Sequence, residues 1–141
     1  MTTISEADVR DFATRWFEAV RSKAPLAEQR RFFAPGVSIE AWTGVTVPLE
    51  AQIAMHEPFT QDDHTFHWLK LEPLPDGRVH VTADVRWEAT GVTDQGGEKR
   101  IRADVGEDWI IERDAAGELR FARYLASSMR YLPGSATLDL G

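Results

Sequence analysis

The sequence predicts an α+β fold in which a curved antiparallel sheet wraps around helices near the N-terminus. Hydrophobic residues recur at helical spacing near the start of the chain. From residue 64 onward the hydrophobic period is two, and short segments rich in Gly and Asp interrupt it. Helices that precede a long antiparallel sheet pack on one of its faces. We therefore expect the sheet to curl around an enclosed, largely apolar pocket.

The first two helices are predicted from their capping residues and their spacing. Ser5 and Asp8 form a capping-box pattern, with Asp in place of the usual Glu. Behind them, apolar residues recur at helical spacing, so the first helix is predicted over residues 5–22. Pro25 suits the first turn of a second helix, which is expected to end near residues 34–36.

A short strand and a third helix are predicted next. Residues 37–43 alternate between two faces, which is typical of a strand. Pro48 begins a short helix that runs to about Glu57, because Pro58 cannot continue it.

The second half of the chain is predicted to form four long strands. Alternating side chains place them at residues 64–74, 78–92, 98–113 and 118–131. The turn Pro75-Asp76-Gly77 between the first two is a strong hairpin signal. Segments 94–97 and 114–117 are the turns that join the later strands.

Composition and charge limit the classes of function. With 141 residues, the chain is predicted to form one domain, residues 1–141, with a sizeable core. Its net charge of −7 makes nucleic acid and anionic membranes poor partners. The absence of cysteine excludes disulfides, thiolate chemistry and cysteine-ligated zinc. Since no signal peptide or membrane-spanning segment is recognisable, we expect a cytoplasmic protein.

Three segments resemble the NTF2-like superfamily, in particular its SnoaL-like branch. They are RWFEAVRSKAPLAEQRRFFAPGVSIE at 15–40, TFHW at 65–68 and WIIERDAAGELRFARYLAS at 109–127. The resemblance implies a cone of the cystatin-like-roll type, a homodimer, and a small hydrophobic molecule as ligand. It also implies an activity like those of ketosteroid isomerases, scytalone dehydratases, epoxide hydrolases or polyketide cyclases, or ligand binding alone.

No catalytic set of these relatives is complete in this chain. Ketosteroid isomerases carry a general-base Asp and an oxyanion-donating Tyr where this sequence has residues 40–41 and Trp16. The Arg-x-Asp pair of epoxide hydrolases is imitated at residues 102–104, but Tyr124 stands where their second Asp should be. The strand histidine of the dehydratase-like branch is matched by His67 in TFHW.

His67 is the leading candidate for a catalytic residue. An imidazole in the pocket wall could exchange a proton with a carbonyl or alcohol near neutral pH. Its orientation depends on the length of the following turn. A two-residue turn groups His67 with Asp84 and Arg86, whereas a three-residue turn groups it with Val85 and Trp87. A hydrogen-bonded or exposed histidine at the sheet edge is the alternative.

Glu107 and Asp84 are the other catalytic candidates. Glu107 and Asp108 interrupt an apolar strand, so one of the two points inward. If Asp108 pairs with Arg123 on the outer face, Glu107 lies inside, where burial raises its pKa and suits it to acid–base catalysis. A structural hydrogen bond or ion pair would explain the same carboxylate. Asp84 is weaker, because it lies in an alternating run where a solvent-facing acid is expected.

Aromatic and apolar side chains are expected to line the pocket and contact the substrate. The predicted set is Phe12, Trp16, Met55, Phe59, Trp87, Trp109 and Tyr124. Aromatic side chains more often build a core than a ligand platform. Five tryptophans nevertheless offer more flat surface than a minimal core requires, so part of it is expected to bind a ring-bearing molecule.

The sequence leaves two functions open. The first is a cofactor-independent enzyme, an isomerase, cyclase or lyase, that transfers a proton on a cyclic or polyketide-like substrate. The second is a non-catalytic ligand-binding or dimeric accessory protein that uses the same pocket. A metal site formed by His56, His64 and His67 is not expected, because their spacing fits no known ligand motif. Two titratable groups converging in the pocket would favour the enzyme.

Overall fold

The computed structural model describes residues 3–92 and 97–137, without the side chain of Val92. The elements in chain order are α1 (Glu6–Arg21), α2 (Leu26–Arg30), β1 (Ile39–Ala41), β2 (Thr46–Val47), α3 (Leu49–His56), β3 (Thr60–Pro73), β4 (Val79–Val92), β5 (Glu98–Arg113) and β6 (Leu119–Tyr131). Most of the turn predicted at 94–97 lies outside the described residues. None of the described helices is long and apolar enough to cross a membrane.

The helix α1 begins at the predicted capping box. The Ser5 hydroxyl accepts a hydrogen bond from the Asp8 backbone N–H at 3.1 Å, and the Asp8 carboxylate accepts one from the Ser5 N–H at 2.9 Å. One face of α1 is buried and formed by Val9, Phe12, Ala13, Trp16, Phe17 and Val20. These side chains join the main core against the sheet, and burying their apolar area holds the helix in place.

Six strands form one curved, unclosed sheet in the order β2-β1-β6-β5-β4-β3. Neighbouring strands are antiparallel except β1 and β6, which run parallel. The inner face of β4 and β5 is buried at every second residue, whereas the outer face carries ion pairs such as Arg102–Glu88. With α1 packed on the inner face, the predicted α+β cone is confirmed.

Four elements differ from the prediction. The strand β1 covers only Ile39–Ala41 instead of residues 37–43. The helix α2 ends at Arg30 instead of near residues 34–36, and Phe33 instead forms a bridge with Phe121 of β6. The strand β2 was not predicted, since two residues are too few to show a period. The strand β3 begins at Thr60 rather than at residue 64.

The turn between β3 and β4 has three residues, which is one of the two predicted alternatives. The Leu74 N–H donates to the Arg78 carbonyl at 2.8 Å, so residues 75–77 form the loop. Gly77 within it has a φ of 88°, a conformation that glycine adopts without steric cost.

A β-bulge in β3 reverses the face on which the three-residue turn alone would place His67. The turn alone would place His67 opposite Val85 on the inner face. Instead Phe66 pairs with Val85 and Trp68 pairs with Asp84, which leaves His67 as the extra residue. Because one inserted residue shifts the following or preceding side chains to the other face, His67 lies on the outer face.

Candidate active site

A small cavity lies between the inner face of the sheet, the β1–β2 hairpin and α3. Its volume is about 90 Å³. The lining residues are Ile39, Ala41, Trp42, Val47, Gln52, Met55, His56, His64, Trp87, Val105, Glu107, Tyr124, Ala126 and Met129. Most of these are apolar, but His56, His64 and Glu107 can gain or lose a proton. The cavity therefore combines apolar walls with acid–base groups.

The C-terminal end of α3 places His56 beside Asp62 in a buried hydrogen-bonded pair. Nδ1 of His56 donates to Oδ2 of Asp62. The other Asp62 oxygen accepts from the Trp87 indole N–H at 2.7 Å. Because Asp62 accepts the Nδ1 proton, Nε2 of the neutral imidazole carries the lone pair, and the Gln52 amide donates to it at 3.0 Å. This is the arrangement of a base oriented by a carboxylate.

A second bulge in β3 accompanies the inward direction of Asp62. The register against β4 shifts by one residue between Thr60 and Asp63. Within this bulge Gln61 has a φ of 51°, a left-handed conformation that costs a non-glycine residue roughly 1–2 kcal/mol. Strained backbone of this kind is often found at functional sites. Here it directly precedes the carboxylate that holds His56.

Asp62 is ionised at neutral pH although it is buried. Burial raises the pKa of this carboxyl, but hydrogen bonds from His56 and Trp87, together with the electrostatic influence of the two nearby imidazoles, outweigh that effect. The pKa of Asp62 therefore lies below its usual value of 3.8. An ionised Asp62 keeps the proton of His56 on Nδ1 and leaves Nε2 free to act as a base.

Glu107 of β5 is the buried acid of the cavity and lies on the predicted inner face. The residue is only 5% exposed. Its carboxyl oxygens meet the Trp109 indole N–H at 3.2 Å and the Tyr124 hydroxyl at 3.5 Å. Burial raises the pKa of Glu107 to about 8, and these two hydrogen bonds offset the lost hydration only in part. At pH 7 the group is neutral and can donate a hydrogen bond or a proton.

Tyr124 connects Glu107 to α1 through a short chain of hydrogen bonds. The Trp16 indole N–H donates to the Tyr124 hydroxyl at 3.4 Å, and this hydroxyl donates to Glu107. Burial raises the pKa of Tyr124 well above its ordinary value, so the hydroxyl keeps its proton. Trp16 therefore supports the cavity from behind its wall.

His64 of β3 occupies the inner face opposite Trp87. Its ring stacks on Phe17 with a centroid distance of 4.5 Å and an interplanar angle of 4°. The residue as a whole is half-buried, but its Nδ1 is inaccessible to water and has no hydrogen-bond partner among the described residues. Burial lowers the pKa of His64 to about 4, since the attraction of Asp62 offsets the lost hydration only in part and His56 adds repulsion. His64 is therefore a neutral imidazole at pH 7.

We expect the His64→Phe variant to gain stability relative to wild type as the pH falls. In the unfolded chain His64 takes up a proton near its ordinary pKa of 6.5, whereas the folded protein resists protonation down to about pH 4. Wild type therefore loses stability as the pH falls from 6.5 to 4, because the unfolded state gains a proton that the folded state does not. Phenylalanine cannot bind a proton, so the variant does not show this loss. The difference should be about 2 kcal/mol larger at pH 5 than at pH 8. Denaturant unfolding at both pH values measures it, and a constant difference would contradict the assignment.

Two of the three predicted catalytic residues lie outside the cavity. The His67 side chain is 39% exposed on the outer face, where its Nε2 meets the Asp104 carboxylate at 2.8 Å. Asp84 lies on the same face in an ion pair with Arg130. The prediction that His67 faces the cavity is wrong, because the bulge places it on the other side of the sheet. We propose no catalytic role for His67 or Asp84.

The same outer-face residues raise the question of a metal ion. Ligand atoms of His67, Asp84 and Asp104 lie within 4.8 Å of one another. However, the Arg86 guanidinium donates to Asp104 at 2.7 Å, and Arg130 is paired with Asp84. Since these cations already neutralise both carboxylates, we assign no metal site to the group.

The predicted contact residues occupy three different environments. Met55, Trp87 and Tyr124 line the cavity. The side chains buried behind its walls or elsewhere in the core are Trp16, Phe59 and Trp109. Phe12 is also buried, and it borders a separate groove rather than the cavity.

That separate groove is larger, about 540 Å³, but it has a different character. It is lined by Phe12, Arg15, Glu28, Arg31, Phe32, Glu118, Leu119 and Arg120. Arg15 is already paired with Asp11, and Arg120 with Asp114. No buried acid or imidazole is among these lining residues. We therefore place the candidate site in the smaller cavity.

The His56–Asp62 pair was not predicted from the sequence, although the sequence contains a signal for one of its members. From the sequence, His56 and His64 are weighed only as members of a metal site that is not expected, and no role is predicted for Asp62. Asp62 and Asp63 are two consecutive acids in a strand, and so are Glu107 and Asp108. Because successive side chains of a strand face opposite sides, one acid of each pair faces inward. The histidine match in TFHW gives no warning of the bulge, which makes His64 rather than His67 the histidine of β3 that lines the cavity.

Comparison with solved structures places the chain in a known fold. LinA aligns with a TM-score of 0.67 at 17% identity, over 94% of this chain and 92% of that protein. An NTF2-like protein from Cytophaga hutchinsonii aligns with a TM-score of 0.61 at 11% identity, over 91% and 99% of the two chains. A protein from Catenulispora acidiphila in complex with S-DNPA aligns with a TM-score of 0.63 at 19% identity, over 89% and 91%.

These alignments cover nearly the whole of each chain. The protein therefore has the NTF2-like, SnoaL-like fold that the sequence resemblance implies. At identities of 11–19% the likeness is one of fold. No family profile and no curated protein sequence matches the chain.

Proposed function

We propose that this protein is a cofactor-independent enzyme that transfers a proton on a small, largely apolar, ring-bearing molecule in an isomerisation, cyclisation or dehydration. The observation that carries the proposal is the His56–Asp62 pair at the same cavity as a neutral Glu107. Acid–base catalysis needs one group that accepts a proton and one that donates at the same pH. Burial that keeps Glu107 protonated supplies a donor at the same cavity as an imidazole that can accept.

His56 is the proposed base. Asp62 holds the Nδ1 proton, so Nε2 is the atom that accepts a proton from a substrate carbon once the substrate displaces the Gln52 amide. The imidazolium that forms is stabilised by the Asp62 carboxylate. Trp87 donates to the second oxygen of Asp62 and keeps the carboxylate in place.

Glu107 is the proposed acid. In its neutral form it donates a hydrogen bond to a substrate oxygen on which negative charge develops. In an isomerisation, the proton that His56 removes from one carbon returns to another carbon. In a dehydration, Glu107 protonates the departing hydroxyl, which leaves as water, while His56 takes the proton from the adjacent carbon.

The walls of the cavity support an uncharged ligand. The described lining residues include neither Lys nor Arg. An anionic substrate would therefore lose its hydration without gaining a cationic partner. The similar Catenulispora acidiphila protein is in complex with S-DNPA, which supports a bound molecule in this fold.

Hydrogen–deuterium exchange of cyclohexanone in D₂O tests the proposal without the natural substrate. Its α-hydrogens are acidic enough for a positioned base, and NMR follows their loss. We expect wild type to accelerate the exchange and His56→Gln to reduce the acceleration by roughly 10²- to 10⁴-fold. The control His67→Gln changes a histidine on the outer face and should retain the wild-type rate.

The exchange experiment also separates the two functions. Equal rates for the His56→Gln and His67→Gln proteins would reject His56 as the base. Binding of cyclohexanone to wild type without any exchange would favour the alternative, a non-catalytic ligand-binding protein of the same fold. A homodimer and a cytoplasmic location, both expected from the sequence, belong to the proposal as well.

A further inference from the structure

The cavity has one wall that differs from the rest. Trp42 is 36% exposed, while every other described lining residue is buried or half-buried. A side chain that contacts the cavity on one side and water on the other lies at its mouth. The side chain of Trp42 therefore borders both the cavity and solvent.

Trp42 is not held in place as a core tryptophan would be. Trp16, Trp87 and Trp109 each pack against several aromatic rings. Trp42 contacts no aromatic ring among the described residues. Its position therefore depends on the backbone that carries it more than on interlocking side chains.

That backbone is the smallest paired element of the fold. Trp42 follows β1 in the tight turn to β2, which the Ala41 N–H closes by donating to the Val45 carbonyl at 2.9 Å. The strands β1 and β2 are paired at only two positions, and β2 is the edge of the sheet. Gly44 in the turn has open space around it. On its other side β1 pairs with β6 at three positions, so the hairpin is fixed to the rest of the sheet through β1.

The size of the cavity makes the mouth important. At about 90 Å³ it is far below the roughly 300–1,000 Å³ of ordinary small-molecule sites. We propose that Trp42 determines specificity by size: its indole closes the mouth of the cavity and restricts the substrate to a compact, uncharged molecule of about one ring. This inference rests on the proposed function, because it defines the substrate class of the same site.

Two methionine methyl groups allow a direct test. The chain has three methionines, and Met55 and Met129 line the cavity. Protein labelled with ¹³C at the methionine methyl groups is titrated with cyclohexanone and with the fused-ring ketone 2-tetralone. We expect wild type to bind cyclohexanone and to bind 2-tetralone weakly. In Trp42→Ala the affinity for 2-tetralone should rise by roughly tenfold or more, with a change of less than about threefold for cyclohexanone.

Val45→Ala is the matched control. Val45 lies on the same hairpin and is 49% exposed, but it does not line the cavity. Its variant should bind both ketones as wild type does. If Trp42→Ala and Val45→Ala bind 2-tetralone equally, or if Trp42→Ala weakens both ketones alike, the size limit is rejected while the proposed chemistry stands. If neither ketone shifts the methyl signals of any protein, the ligand class of the proposed function fails and the size limit fails with it.

Discussion

Replacing Glu107 by glutamine is expected to stabilise the protein at alkaline pH. In the unfolded chain Glu107 ionises near its ordinary pKa of 4.5, whereas in the fold it keeps its proton to about pH 8. Between these values the folded state binds one more proton than the unfolded state, so wild type loses stability as the pH rises. Glutamine has nearly the same shape and does not ionise. Its stability relative to wild type should therefore increase by about 3.5 kcal/mol from pH 5 to pH 8.

The dependence of wild-type stability on pH should itself reveal the two buried groups, Glu107 and His64. Between pH 4.5 and 6.5, the stability lost through Glu107 is opposed by the stability gained as the unfolded chain releases the proton of His64. Above pH 6.5 only the loss through Glu107 continues, so the combined contribution of the two groups declines there. Urea unfolding at pH values from 5 to 9 measures the curve.

A control on the same strand isolates the effect of burial. Glu112 of β5 is half-buried on the outer face, so Glu112→Gln makes the same chemical change outside the cavity and should lack the gain seen for Glu107→Gln from pH 5 to pH 8. A Glu107→Gln curve that runs parallel to wild type over the whole range would show that Glu107 is ionised in the fold. The proposed acid would then be lost.

The position of Glu107 could be predicted because it needs only the period of a strand. Glu107 and Asp108 lie in a long regular run, and an arginine is available for Asp108 on the outer face, where the two come within 3.7 Å. Two bulges interrupt the pairing of β5 with β6, yet the alternation along β5 itself remains regular. The same regularity made the long strands predictable, whereas the capping box follows from the Ser5 and Asp8 pattern and the cone from the family resemblance.

The position of His67 could not be predicted because it depends on a bulge. The correct three-residue turn combined with uninterrupted pairing gives the wrong face, and only the extra residue between Phe66 and Trp68 corrects it. A bulge is set by how the side chains of two strands pack together, which a single strand does not record. The inward direction of Asp62 follows from the same bulge, because Asp62 alternates with His64 and Phe66 on the inner face, and its partner His56 lies on a helix. The candidate site is therefore assembled by tertiary packing at the point where the strand pattern is irregular.

The His56–Asp62 pair leads to the second large effect, which concerns the tautomer of His56. In the Asp62→Asn variant, the new amide has one acceptor and one donor end. The Trp87 indole N–H, which is 2.7 Å from the present carboxylate, needs the acceptor. The NH₂ group must then face Nδ1 of His56, which can no longer carry its proton. The proton moves to Nε2, and the atom proposed to act as the base loses its lone pair.

We therefore expect Asp62→Asn to reduce cyclohexanone exchange by roughly 10²- to 10⁴-fold, the same range as His56→Gln, because the atom that should accept the proton no longer can. The tautomer itself is observable without any substrate. In histidine labelled with ¹⁵N, the neutral His56 ring should carry its proton on Nδ1 in wild type and on Nε2 in the variant. Only four histidines contribute signals.

Variants of Trp87 test whether its indole N–H is what orients the amide in Asp62→Asn. Trp87→Phe alone removes the indole donor and should leave the proton on Nδ1, because Asp62 still accepts it. Combined with Asp62→Asn, the same change frees the amide to rotate and present its oxygen to His56. The double variant should then regain the Nδ1 tautomer, even though each of its changes removes a hydrogen bond. If His56 in Asp62→Asn already carries its proton on Nδ1, the carboxylate does not set the tautomer, and Asp62 has no orienting role in the proposed chemistry.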